Sequence, residues 1–195
     1  MQTSSLAARA LTLAASLAFG STLALAQGPT PETRTAAPAT QPAARRAIDD
    51  PTIVAIFDAA NSWDIETGQL AAKKGTTKEV RDFGRMLMHD HKVVRQQGRD
   101  LAKKLKVTPT PPGKDFALYQ AHLEALRELR AARGKAFDRV FLQHEVDYHK
   151  AVLDAVTNTL LPATQNEELK KLETTVAPAF QGHMMAAQKL LDERK

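Results

Sequence analysis

Apolar positions recur at intervals of three and four residues along most of this chain, the period of an amphipathic helix. Asp50 and Pro51 suit a helix start, and Gly75 suits the end of that helix. Three prolines between residues 107 and 113 must interrupt any helix there. The pattern predicts helices over residues 50–74, 76–106, 115–133, 135–161 and 164 to the C-terminus.

These helices differ in length, and their connections differ too. Four are long, and the helix over 115–133 is shorter and lies in the connection between the second and third long ones. Two tight turns around one long crossover distinguish ferritin-like bundles from simple up-down bundles. No strand pattern stands out. The predicted fold is therefore all-α, a ferritin-like four-helix bundle over residues 49–195 with an extra short helix in the crossover.

Several polar side chains fall on helix faces that should be buried. His91 and His183 each sit in the middle of an apolar stripe, on the second and last helices. Glu145 and His149 are four residues apart on the third long helix and share its apolar face. On the first helix, the face predicted to turn inward carries Trp63, Glu66 and Leu70. Each long helix therefore offers a polar group to the interior, whereas His89, His122 and His144 fall off the stripes and are predicted to face solvent.

Buried polar groups at the centre of one bundle must satisfy one another, because each uncompensated group costs about 1–3 kcal/mol. One solution is a closed hydrogen-bond network between carboxylates and imidazoles. The other is a metal ion, since neutral imidazole and carboxylate form the nitrogen and oxygen shell that suits zinc, iron, manganese or copper. The residues alone leave both solutions open.

The spacing argues against one particular centre. Carboxylate di-iron bundles carry two Glu-x-x-His motifs, and this chain has none, since Glu145 and His149 are four residues apart. A ferroxidase-type di-iron site is not expected. Counted from the turn at Gly75, Glu66 and His91 also differ in height by up to about two helical turns.

The N-terminal segment predicts export. Arg9 precedes an apolar stretch that ends in Ala24-Leu25-Ala26, which is typical of a signal peptide over residues 1–26, cleaved before Gln27. A retained membrane anchor is the alternative, although the stretch is short for a span. Residues 27–48 are rich in Pro, Ala and Thr and are predicted to form a disordered linker. The mature protein is predicted to be periplasmic, without a transmembrane segment.

Composition narrows the chemistry further. The 195-residue chain has no cysteine, which excludes disulfides and thiolate metal sites. The formal net charge of +5 is spread along the helices and forms no basic arm. We therefore expect no nucleic-acid partner. A homo-oligomer or a partner in the cell envelope remains open.

The chain resembles the DUF4142 family over about residues 50–192. The resemblance rests on Glu66-x-Gly68-x-Leu70-Ala71, Met88-His89-Asp90-His91, Phe137-Asp138-x-x-Phe141, His149 and Pro178-x-Phe180-x-x-His183. The family is regarded as ferritin-like and typically exported, and it carries no established activity. The resemblance implies that Glu66, His91, Asp138, His149 and His183 are functional positions. Asp138 comes from the resemblance alone, and Glu145 from helix spacing alone.

Three functions follow from these observations. The first is an exported metal-binding bundle, for storage, buffering or stress protection, that uses Glu66, His91, Asp138, Glu145, His149 and His183. The second is a non-catalytic structural or interaction protein with a buried hydrogen-bond network. The third is a metalloenzyme, which needs an open coordination position and an access path. Convergence of the side chains at one height favours the first, and dispersal favours the second.

Overall fold

A computed structural model describes residues 48–111, 113 and 117–194. The predicted signal peptide and residues 27–47 of the predicted linker lie outside this part of the chain. The helices are α1 (Asp50–Lys74), α2 (Lys78–Leu105), α3 (Ala117–Ala131), α4 (Gly134–Ala155), α5 (Leu161–Ala163) and α6 (Glu167–Asp192), with a π-helical turn at Val156–Leu160 between α4 and α5. The residues described contain no strand, and the all-α prediction is confirmed.

The long helices form two hairpins joined by a crossover. α1 packs mainly on α2, and α4 packs mainly on α6. α3 lies in the crossover and contacts α1 and α4. This is the predicted ferritin-like arrangement, with the extra helix where the sequence placed it. None of the helices described is long and apolar enough to cross a membrane.

The N-caps of three helices lie one or two residues from the predicted helix starts. Asp49, not Asp50, caps α1, because its Oδ1 accepts from the backbone N–H of Thr52 at 3.0 Å. Thr77 caps α2, whose predicted start is residue 76, and Asn166 caps α6, whose predicted start is residue 164. In each case a neighbouring side chain of similar chemistry takes the cap.

Lys74 anchors the crossover helix to α1. Its Nζ donates hydrogen bonds to the backbone carbonyls of Leu129, Arg130 and Ala132, at 2.5, 3.0 and 2.8 Å. These are carbonyl groups at the C-terminal end of α3, where a cation is favoured by the helix dipole. The ammonium group thereby fixes the end of α3 beside the last turn of α1.

The bundle interior has apolar clusters at both ends and a polar layer between them. One apolar cluster, which includes Leu87 and Phe141, lies toward the α1–α2 turn. Another, which includes Ile53 and Leu169, lies toward the opposite end. The buried polar side chains of the middle region are Asn61, Asp64, Thr67, His91, Glu145, His149 and His183.

Candidate metal centre

Three histidine rings meet in the polar layer. His91 comes from α2, His149 from α4 and His183 from α6, and each is at most 5% exposed. Their ring centroids are 5.1–5.5 Å apart. Each ring offers one nitrogen, and these nitrogens lie within 4.8 Å of one another. Three imidazoles from three helices therefore surround one point in the interior.

The ring of His91 is held by an amide on α1. Its Nδ1 lies 2.9 Å from Oδ1 of Asn61, and Nδ2 of Asn61 donates to the carbonyl of Phe57 at 2.8 Å. The bond to Phe57 fixes which end of the amide is the oxygen, so Nδ1 of His91 must carry the hydrogen. The Nε2 lone pair of His91 is therefore free.

The other two rings are held in the same way. Nδ1 of His149 lies 2.9 Å from the backbone carbonyl of Glu145, which can only accept. Nε2 of His183 lies 3.1 Å from Oδ2 of Asp90, whose side chain is 38% exposed. The hydrogens of both rings consequently lie on these bonded nitrogens. Metal-bound histidines are commonly oriented by such a bond from the second ring nitrogen.

The remaining three nitrogens have no hydrogen-bond partner within the described residues. They are His91 Nε2, His149 Nε2 and His183 Nδ1, and all three are buried. Burial lowers the pKa of His91 to about 2 and that of His149 to about 3, and it also lowers the pKa of His183. The rings are therefore neutral at physiological pH, which is the form that binds metal.

Two buried carboxyl groups adjoin the histidines. Oδ2 of Asp64 lies 3.5 Å from Nε2 of His91, and Oε2 of Glu145 lies 3.5 Å from Nδ1 of His149. Thr67 donates to Oε1 of Glu145 at 2.9 Å. Burial, followed by the charge of Glu145, raises the pKa of Asp64 well above its usual range, and burial raises the pKa of Glu145 to about 7. A side-chain hydrogen bond between the Asp64 and Glu145 carboxyl groups also contributes to the raised pKa of Asp64.

The carboxyl groups and one histidine form a second possible ligand group. Asp64, Glu145 and His149 each offer an atom within 4.8 Å of the others. His149 belongs to both groups. The two groups are thus one continuous set of five side chains, supplied by all four long helices.

Of the six positions named from the sequence, this set contains His91, Glu145, His149 and His183. The structure does not bring Glu66 to it. The Glu66 carboxylate accepts from Nη2 of Arg130 at 2.7 Å and lies 3.3 Å from Nε2 of His122, on the side of α1 that faces α3. The prediction that Glu66 turns toward the bundle interior is therefore corrected, because a second face of α1 is covered by the crossover helix.

The prediction for the side chain of His122 is also wrong. The sequence predicted a solvated side chain, but His122 is buried and its ring stacks on Trp63 at a centroid distance of 5.1 Å. Trp63 therefore packs against α3 rather than filling the centre of the bundle.

Asp138 lies at the end of the bundle, away from the histidines. Its carboxylate accepts from the backbone N–H of Thr76 at 2.9 Å and also from the Thr76 hydroxyl. It ties α4 to the turn between α1 and α2. This contact gives Asp138 a structural role outside the metal centre.

Sequence reasoning missed Asn61, Asp64 and Asp90. A signal for the first two exists, because Phe57, Asn61, Asp64, Thr67 and Ala71 follow the three-and-four spacing of one buried face. Asp90 stands inside the Met88-His89-Asp90-His91 motif, but its contact with His183 on another helix is not readable from spacing.

Comparisons with known proteins agree with this architecture. No curated protein matches the chain. The solved structure "CopM in the Cu(II)-bound form" has the same helical fold, with a TM-score of 0.57 and 16% identity over 74% of this chain and 98% of that one. The family model "Domain of unknown function (DUF4142)" matches residues 33–190. That match covers most of the sequence, and the chain belongs to the DUF4142 family.

Proposed function

We propose that this protein binds one divalent metal ion in the polar layer of the bundle, through His91, His149 and His183 with Asp64 and Glu145 beside them. The observation that carries the proposal is the set of three buried ring nitrogens without a partner. Each belongs to a neutral imidazole whose other nitrogen is already fixed by a hydrogen bond. This is the donor arrangement that a metal ion requires.

Charge favours a divalent ion. Asp64 and Glu145 are buried, and within the described residues neither forms an ion pair with lysine or arginine. Burial raises the pKa of both carboxyl groups and so favours their protonated form in the metal-free protein, whereas a bound cation favours the ionised form. A divalent cation among the neutral histidines compensates both negative charges, whereas a monovalent ion leaves one uncompensated.

The donor types restrict the ion without naming it. Imidazole nitrogen and carboxylate oxygen suit zinc, iron, manganese and copper. A helical protein with a similar fold, CopM, is described in a Cu(II)-bound form, which supports including copper among the ions tested. Storage or buffering of such an ion is the role that fits a buried, closely held site.

The alternative is a structural protein with a closed hydrogen-bond network. Such a network should use the donors and acceptors it buries. Here the three ring nitrogens lack a partner among the residues described. The number of unpaired atoms at one point supports the metal site over the closed network.

We further propose that the protein works in the periplasm. The support is the predicted signal peptide over residues 1–26 and the predicted cleavage before Gln27. N-terminal sequencing of the protein recovered from the periplasmic fraction tests this, and a Gln27 terminus is expected. Recovery of full-length protein in the membrane fraction would favour the retained anchor.

Elemental analysis tests metal binding directly. The full chain is expressed, purified without affinity-metal steps, and challenged separately with Zn(II), Fe(II), Mn(II) and Cu(II). The test variant is His91→Ala/His183→Ala, and the matched control is His89→Ala, an exposed histidine on the same helix. We expect one equivalent of metal in the wild type and the control and its loss in the helical double variant.

Two outcomes of this experiment would contradict the proposal. A wild-type protein that retains none of these ions refutes the metal proposal and leaves the buried network as the better account. Equal retention by the double variant places the metal elsewhere and refutes the proposed ligands.

A further inference from the structure

An apolar cavity adjoins the metal centre. It has a volume of about 40 Å³ and walls that are almost entirely carbon. Asn61, Asp64, His91 and His149 form one part of its lining. The remainder comes from apolar side chains of α1, α3, α4 and α6 and of the π turn, which include Ala60, Leu118, Val152, Ala155, Val156 and Phe180. Three of the five side chains of the proposed centre therefore border an apolar space.

The backbone beside the cavity is irregular. Val156 and Leu160, the first and last residues of the π-helical turn, both line it. A π turn is rare inside a helix and is frequently found at functional sites. Ala60 and Ala155 line the cavity with side chains of a single methyl group. The space thus results from backbone geometry and from small residues together.

We infer that the cavity admits a small uncharged molecule, about the size of dioxygen, to an open coordination position of the bound metal. The inference rests on the proposed function, since it needs an ion held by the three histidines. Three protein ligands leave a four-coordinate ion with one position for an exogenous ligand. The side of the ion that faces the cavity is where such a ligand fits.

The chemistry of the walls selects the ligand class. The volume exceeds the roughly 10–15 Å³ that one water needs, but carbon walls supply too few partners to hold water well. An ion would lose its hydration without compensation. A small neutral molecule loses little on entry, and apolar cavities of this kind bind gases such as xenon.

The cavity is tested first in the metal-free protein, by ¹²⁹Xe NMR. Ala155→Leu and, independently, Ala60→Leu narrow the cavity from α4 and from α1. Ala151→Leu adds the same side chain at an exposed position one turn earlier on α4 and serves as the control. We expect saturable xenon binding in the wild type and the control, weakened by about tenfold or more in both narrowed variants. Wild-type protein without saturable binding, or folded narrowed variants that bind xenon equally, overturn the inference.

Access to the metal is tested with nitric oxide on protein loaded with Fe(II) under argon. Electron paramagnetic resonance detects the iron–nitrosyl adduct, and iron content is measured on the same samples. We expect the adduct in the wild type and in Ala151→Leu, and its loss in Ala155→Leu at unchanged iron content. Iron-loaded wild type without an adduct overturns the inference and leaves the proposed function standing. Wild type that takes up none of the divalent ions refutes the proposed function, and the inference falls with it.

Discussion

The carboxylate of Asp64 on α1 lies 3.5 Å from the free Nε2 of His91 on α2, and both side chains are almost completely buried. The two residues stand on different helices of the same hairpin, so their approach depends on how closely α1 and α2 pack. Within the described part of the chain, no hydrogen bond occupies Nε2 of His91. The pair therefore presents a carboxylate oxygen and an imidazole nitrogen to one point.

Removal of the Asp64 charge should have opposite effects on the stability of the metal-free protein and on its affinity for metal. We expect Asp64→Asn to raise the free energy of unfolding of the metal-free protein by about 1 kcal/mol, because burial disfavours the ionised form of the Asp64 carboxyl group and a neutral amide avoids that cost. The stabilisation by metal, about 2.7 kcal/mol for a ligand at 100 times its Kd, should shrink strongly. Urea unfolding with chelator and with excess Zn(II) measures both effects. An undiminished stabilisation by Zn(II) would contradict a contribution of the Asp64 charge to metal binding.

Asp90 is expected to act through His183. Its carboxylate accepts the Nε2 hydrogen of His183 and thereby keeps Nδ1 available. Loss of such an orienting partner typically costs about 10–100-fold in metal affinity. Asp90→Ala should show this loss in a competition titration with a chromogenic chelator, whereas the exposed Asp100→Ala on the same helix should not. Equal affinities in the two variants would show that His183 needs no carboxylate to hold its orientation.

The sequence predicted the helices and the three histidines because both follow from periodicity. His91, Glu145, His149 and His183 each sit on a single apolar stripe, and a side chain on that stripe has one direction to point. A fold of this class has few ways to join four such helices. The helix order and the inward direction of these side chains therefore follow from local pattern, whereas the common height of the three rings depends on loop geometry and does not.

The inward face of α1 is predicted wrongly because two faces of this helix are covered by other helices. Trp63 and Glu66 face α3, while Asp64 and Thr67 face the bundle centre. The large aromatic side chain of Trp63 makes its face of α1 look the more apolar one, so the sequence predicts the wrong side of this helix to face the bundle centre. The path of the crossover over α1 depends on tertiary contacts that spacing does not encode. The inward carboxyl group of α1 is thus Asp64, not Glu66. Asp64 lies two residues, about 3 Å along the helix axis, nearer to the height of His91.

The close approach of α1 and α2 depends on Gly84. A Cβ at this position would lie 2.6 Å from the backbone oxygen of Gly68 and 2.8 Å from the backbone nitrogen of Ala72. Backbone atoms cannot yield as a flexible side chain can, so we expect Gly84→Ala to lower the free energy of unfolding by about 1–3 kcal/mol. Gly182→Ala on α6 is the control, because a Cβ there meets none of the described residues within 4 Å. Alanine should stabilise that helix by about 0.5–1 kcal/mol. Urea unfolding gives both values, and a neutral or stabilising Gly84→Ala would refute the tight contact.

Glu173 should give the protein a measurable loss of stability with rising pH. Its side chain is only 1% exposed, and Thr164 Oγ1 lies 3.0 Å from its Oε2 and 2.8 Å from the carbonyl of Leu160. The single hydroxyl hydrogen can serve the carbonyl, so a protonated Glu173 can donate to the hydroxyl oxygen. Burial raises the pKa of Glu173 from 4.5 to about 7.

The sign of the pH effect follows from proton binding. Between pH 4.5 and 7 the folded protein retains the Glu173 proton that the unfolded chain has lost, so the free energy of unfolding falls as the pH rises and levels off above pH 7. Glu173→Gln removes this pH-dependent contribution to the free energy of unfolding. The variant should therefore gain about 1–3 kcal/mol relative to the wild type across the same window, while the exposed Glu193→Gln tracks the wild type. Urea unfolding at intervals from pH 4 to pH 8 measures the difference, which cancels the titration of the buried histidines. A constant difference across the window would mean that Glu173 is ionised in the folded protein and that its burial is compensated by another group.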